Sequence, residues 1–127
     1  MLQSSQFTPN QAWLLFKLNQ VPISTGADGE FDVIALMDAA SLFILGSEFV
    51  PAGTLDTAVA ELRNLMQSAH AQHKAWPQKL IAPQTMPVAK LAVELKAWGI
   101  AAVVVKEAEL KTFTREAQRG FNAHFGG

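Results

Sequence analysis

The chain has 127 residues, half of them apolar and 17% charged, with a net charge of -1 and no cysteine. That is the size of one domain with a real core. The composition excludes a disordered chain, a disulfide scaffold and any site built on a thiolate. The longest uninterrupted apolar run, Ile100 to Val105, is six residues, against the ~20 of a membrane span, so no transmembrane helix and no membrane partner are expected. The start, MLQSSQFTPNQ, has neither the basic nor the apolar region of a secretory signal, and with the missing cysteines this points to the cytoplasm. Charge is unevenly spread. Residues 1–78 hold three basic and seven acidic side chains, and residues 79–127 hold seven basic and four acidic. A molecule polarised in this way can steer a charged partner, although the imbalance is small beside that of dedicated nucleic-acid binders.

In chain order, residues 9–19, PNQAWLLFKLN, fit a helix or a strand by apolar spacing alone. Thr8 before Pro9 favours a short helix, since Thr is a good N-cap and Pro is favoured at the first helical position. VPISTGADGE then reads as an exposed loop. The expected organisation is a single domain, 1–127, with a helix-and-loop appendage over residues 1–30 and an α/β core over 31–127.

Phe31 to Met37 and Leu42 to Phe49 read as two strands. In the first, both faces are apolar, so it should be covered on both sides. Asp38-Ala39-Ala40-Ser41 is too short for anything but a hairpin, and Ala at its centre favours a type I turn led by Asp. Gly46 marks a bulge or a close backbone approach. Thr54 is expected to cap a helix in which Leu55, Ala58, Val59, Leu62, Leu65, Met66 and Ala69 share one face. A short strand follows over Lys79 to Ala82. Pro87 opens a second amphipathic helix, with Val88, Leu91, Ala92, Leu95 and Trp98 inward and Gly99 as its stop. IAAVVV, 100–105, has the unbroken β-branched character of a strand in the middle of a parallel sheet. A last helix over 112–125 turns Phe113, Ala117, Phe121 and Phe125 inward.

An antiparallel strand pair with an acid on the first strand, followed by α-β-α-β-α, resembles the ribonuclease H-like fold, specifically integrase and transposase catalytic cores. The segment IALMDAASLFILGSEFVPAGTLDTAVAELRNLM is similar to those cores, KLIAPQ matches the strand carrying their second Asp, and the helix with Glu116, Arg115 and Arg119 resembles the one carrying the third acid. The resemblance implies an α/β fold with a mixed sheet of about four to five strands, an antiparallel N-terminal hairpin and helices on both faces. The family's third strand is hard to place between Phe49 and Thr54, so the sheet has four strands or recruits the N-terminus. The resemblance also implies two divalent cations held by several carboxylates, because a two-metal site needs hard oxygen ligands. Here the second position reads Ala82-Pro83, which offers none.

Asp38 reads as a metal ligand or as a turn residue accepting backbone N–H groups. Glu116 is the other candidate ligand, and these two acids together would hold one Mg²⁺ or Mn²⁺. His70 and His73 have a metal-like spacing on one helix but also suit a helix end. Lys111, Arg115 and Arg119 fall at i, i+4 and i+8, a basic stripe able to meet phosphates or simply an outer face. Trp76 beside Pro77 is an anchor for a partner or a lid over the core. No nucleophile elbow, P-loop or dinucleotide fingerprint is present. The expected function is a non-catalytic ribonuclease H-like module for binding or assembly, without a cofactor and able to self-associate through a strand edge or an apolar helix face. The alternatives are a metal-dependent nuclease or strand-transfer relative using Asp38 and Glu116, and a nucleic-acid adaptor using the basic stripe.

Overall fold

Thr8, Pro9, Asn10 and Gln11 form a turn and not a helix start in the computed structural model, which describes residues 2–24, 26, 27 and 29–125. Gln11 N–H donates to the Thr8 carbonyl at 3.1 Å, Gln11 Oε1 accepts from the Thr8 N–H at 2.9 Å, and Asn10 sits at φ +64°. The Thr-Pro pair that suits a helix cap suits a turn equally well, with Pro at its second position. The chain leaves this turn extended as β1, Ala12–Lys17. The expected helix over 9–19 is therefore a strand, and residues 1–30 supply part of the sheet.

Why β1 is a strand follows from its burial. Trp13 and Leu15 pack into one core cluster and Ala12, Leu14 and Phe16 into another. A central strand covered on both sides reads as a continuous apolar run with no period of its own. β1 pairs antiparallel with β3, Glu30–Asp38, from Trp13↔Asp38 to Lys17↔Ile34, and parallel with β5, Lys79–Pro83. β3 pairs antiparallel along its other edge with β4, Ile44–Pro51. β5 pairs parallel with β6, Ala101–Val105. The two-residue β2, Ile23–Ser24, continues along β3 beyond β1. Buried Asn19 bridges the gap between them, its Oδ1 accepting from the Val33 N–H and its amide donating to Asp32.

The sheet thus has six strands in the spatial order β4-β3-β1-β5-β6, with β2 beside the start of β3. β6 is an edge strand, not the middle strand its β-branched run suggests. Ile100 is buried, but Val104 is 51% exposed, since β-branched residues suit any half-buried pleated surface. The hairpin of β3 and β4 forms as expected. Its register shifts between Leu36 and Met37, beside Gly46, and a Cβ on Gly46 would lie 3.3 Å from Leu65 Cδ2. Both readings of that glycine apply.

Helix α1, Val59–His73, and helix α2, Ala92–Ala97, cover one face through Leu62, Leu65, Met66, Ala69 and Leu95. Arg63 and Glu94 join them at 3.1 Å. α1 starts later than expected. Leu55–Thr57 form a 3₁₀ turn, and the Thr54 hydroxyl donates to the Pro51 carbonyl instead of capping the helix. Val88–Leu91 are likewise a 3₁₀ turn ahead of α2, and Gly99 closes that segment at φ +73°. Helix α3, Lys111–Phe125, covers the opposite face with Phe113 fully buried and Ala117 and Phe121 partly so. The inward placement expected of Phe125 lies outside the described side chains. Among the described residues no helix is long and apolar enough to cross a membrane.

Candidate functional site

The chain runs from β1 to β3 and β4 on one side, then crosses to β5 and β6 on the other. This makes the gap between β1 and β5 the switch point of the sheet. Ligands of open α/β sheets gather at the carboxyl ends of the strands flanking such a point. A cleft of about 130 Å³ lies there, lined by Phe16 and Lys17 from the end of β1, Pro83 and Thr85 from the end of β5, Leu55, Glu107 and Leu110, and Thr114 and Gln118 of α3.

The resemblance in the sequence puts Asp38 at the first carboxylate position, Ala82-Pro83 at the second and Glu116 at the third. Of these only Pro83 lines the cleft, beside Phe16 of β1 and Thr114 and Gln118 of α3. Phe16 is buried. The Thr114 hydroxyl donates to the Leu110 carbonyl at 3.1 Å, and the Gln118 amide donates to the Lys17 carbonyl at 2.8 Å. The Thr114 hydroxyl is thus spent within its own helical segment, and the Gln118 amide ties α3 to β1. Glu107 is the one carboxylate lining the cleft. Among the described residues no three His, Cys, Asp or Glu side chains form a group able to hold a metal ion.

Asp38 lies at the other end of the sheet, opposite Trp13 at the start of β1. Its carboxylate is almost fully buried and accepts three hydrogen bonds: from the Asn10 N–H at 2.8 Å, the Ser41 N–H at 2.9 Å and the Ser41 hydroxyl at 2.7 Å. Leu42 N–H donates to the Asp38 carbonyl and Asp38 N–H to the Phe43 carbonyl, closing the hairpin with Leu42 at φ +63°. Glu116 stands in solvent, its side chain 84% exposed, 3.6 Å from Arg119. The two acids are not brought together.

Lys111, Arg115 and Arg119 do share one surface, a shallow depression of about 530 Å³ completed by Gln20, Gln118, Asn122 and Ala123. Trp76 is half-buried and packs against the core cluster of α1 and α2. Its ring is stacked between His70 at 4.1 Å and Trp98 at 4.3 Å, and tilted against Trp13 at 6.4 Å. His73 is exposed and lines a different depression, with Asp38 and Ser41. The sequence reading missed Phe16, Lys17, Thr85, Thr114 and Gln118. Only the strand character of residues 12–17 would have led to them.

Scanned against protein-family models and curated proteins, the sequence matches none. A likeness exists in three dimensions. A chain in the cryoEM structure of a simian T-cell lymphotropic virus intasome in complex with PP2A regulatory subunit B56 gamma superposes with a TM-score of 0.62 at 13% identity. The match covers 91% of the present chain and 39% of that one, so the present chain spans about two fifths of its length. At that identity the likeness concerns the fold alone.

Proposed function

We propose that this chain is a ribonuclease H-like domain without a catalytic metal centre, serving as a binding or assembly module. The fold likeness to an intasome chain and the strand order β4-β3-β1-β5-β6 support the first half of this reading. The observation that carries the second half is the lining of the cleft between β1 and β5, where Phe16, Pro83, Thr114 and Gln118 surround the strand ends and Glu107 is the one carboxylate. A pair of Mg²⁺ or Mn²⁺ ions does not fit these residues, because two hard cations need several anionic oxygens around them and the cleft offers Glu107 only. Asp38 is occupied by its own turn, so the nuclease or strand-transfer reading through Asp38 and Glu116 loses its support.

Thermal melting tests this. A divalent ion at 100 times its Kd would stabilise the fold by about 2.7 kcal/mol. Unchanged melting in millimolar Mg²⁺ or Mn²⁺ is expected for the parent, Asp38→Asn and Glu107→Gln. A metal-dependent rise that either substitution removes would overturn the reading.

A second reading, a nucleic-acid adaptor, is favoured by one observation. The three cations of the α3 stripe line a single depression, which suits a run of phosphates.

A further inference from the structure

Both edges of the sheet are open. On β6, the Ala101 N–H bonds to Gln78 beside β5, so by strand alternation Ala102 and Val104 turn their N–H and C=O groups outward. On β4, the Ala52 N–H bonds to the Glu30 carbonyl of β3, which by the same alternation turns the backbone of Ser47 and Phe49 outward. Natural edge strands are blunted by charge, proline or bulges. β6, AAVVV, has none of these. In β4 the register shift and Pro51 flank an evenly paired stretch, Gly46–Val50, equal in length to β6 and carrying one charge, Glu48.

We infer that the β6 edge takes the β4 edge of a second copy of this chain, continuing the sheet from one copy to the next. Three observations select that occupant. β4 is antiparallel to β3, β3 is antiparallel to β1, and β1, β5 and β6 are parallel. β4 and β6 therefore run the same way, and two copies in the same orientation form a parallel pair with their helices on matching faces.

The second observation is side-chain placement. Ala102 and Val104 pair with core-facing Leu80 and Ala82 on the α2 face, where with Val88, Leu95 and Lys96 they line an apolar groove of about 350 Å³. Glu48 pairs with Ile34 and so lies on that same face, which sets it beside the neighbour's Lys96. Phe49, 64% exposed, pairs with Val33 on the α3 face and would cover Val103 and Val105 of the neighbour.

The third is charge. Glu48 lies within β4 and Lys96 lines the groove beside β6. A β6–β4 contact brings these unlike charges together, whereas β6–β6 or β4–β4 contacts bring like ones together. Such a contact is head-to-tail and propagates unless it closes into a ring.

This inference deepens the assembly half of the proposed function and is independent of the metal-melting test. Val104→Glu blocks β6 by setting a second carboxylate against the neighbour's Glu48, and Phe49→Lys blocks β4, both at exposed positions, with circular dichroism confirming the fold. Sedimentation equilibrium of the parent should show association that rises with concentration and weakens with salt. Each variant alone should sediment as one 13.8 kDa chain, and an equimolar mixture of the two should form a 1:1 dimer through its two unblocked edges. A parent that stays monomeric, a single variant that still dimerises, or a mixture that stays monomeric would each overturn the inference and leave the metal result untouched.

Discussion

Asp38 carries a buried negative charge whose solvation is supplied by three short donor groups, two of them backbone N–H. Hydrogen bonds to charged groups are worth about 1.5–3 kcal/mol each, and orphaned buried donors cost as much again. Asp38→Ala is therefore expected to destabilise the fold by about 3 kcal/mol in urea unfolding. Asp38→Asn should cost less, because its amide oxygen still accepts. A loss below ~1 kcal/mol for Asp38→Ala would mean that the turn does not depend on this carboxylate. The turn role of Asp38 could be read from the sequence, because Asp before two alanines and a serine has a local partner at hand. The residues of the cleft could not. Phe16, Pro83 and Thr114 gain meaning only from their meeting at the ends of two strands, and nothing in their own neighbourhoods marks them.

Among the elements, those with a clear period or a clear turn were legible. The hairpin of β3 and β4 announces itself through its short acidic link, and α1 through Leu62, Leu65, Met66 and Ala69 on one face. β1 is buried on both sides and shows no alternation, so its sequence does not separate strand from helix, and AAVVV looks the same at an edge as in a sheet's interior. The difference between appendage and central strand is testable. A chain beginning at Glu30 lacks Trp13, Leu14, Leu15 and Phe16, all fully or almost fully buried. At about 1.5–3 kcal/mol for each large apolar side chain, their loss is comparable to the whole stability of an ordinary domain. We expect the truncated chain to lose its cooperative urea transition and its near-ultraviolet dichroism. Native-like unfolding of that fragment would show that the sheet does not need β1.

At the scale of the molecule, three of the seven basic residues of the second half, Lys111, Arg115 and Arg119, gather on one surface of α3, which is tied to the end of β1. The basic stripe lies wholly within the second half. If it meets phosphates, anisotropy with a single-stranded oligonucleotide should show binding that weakens steeply with salt. Lys111→Glu with Arg115→Glu should then lower the slope of log K against log salt by roughly 1–2. Binding by the double variant equal to the parent's would remove the adaptor reading. The position of β1 has a further consequence, which lies in time. Ala12 pairs with Lys79, 67 residues farther along the chain, and non-local pairing of this kind is slow to form. During synthesis β1 meets β3 early but waits for β5 to emerge. Until then AWLLFK is itself a bare apolar edge on a nascent sheet, and this interval is when the chain is most exposed to misassembly.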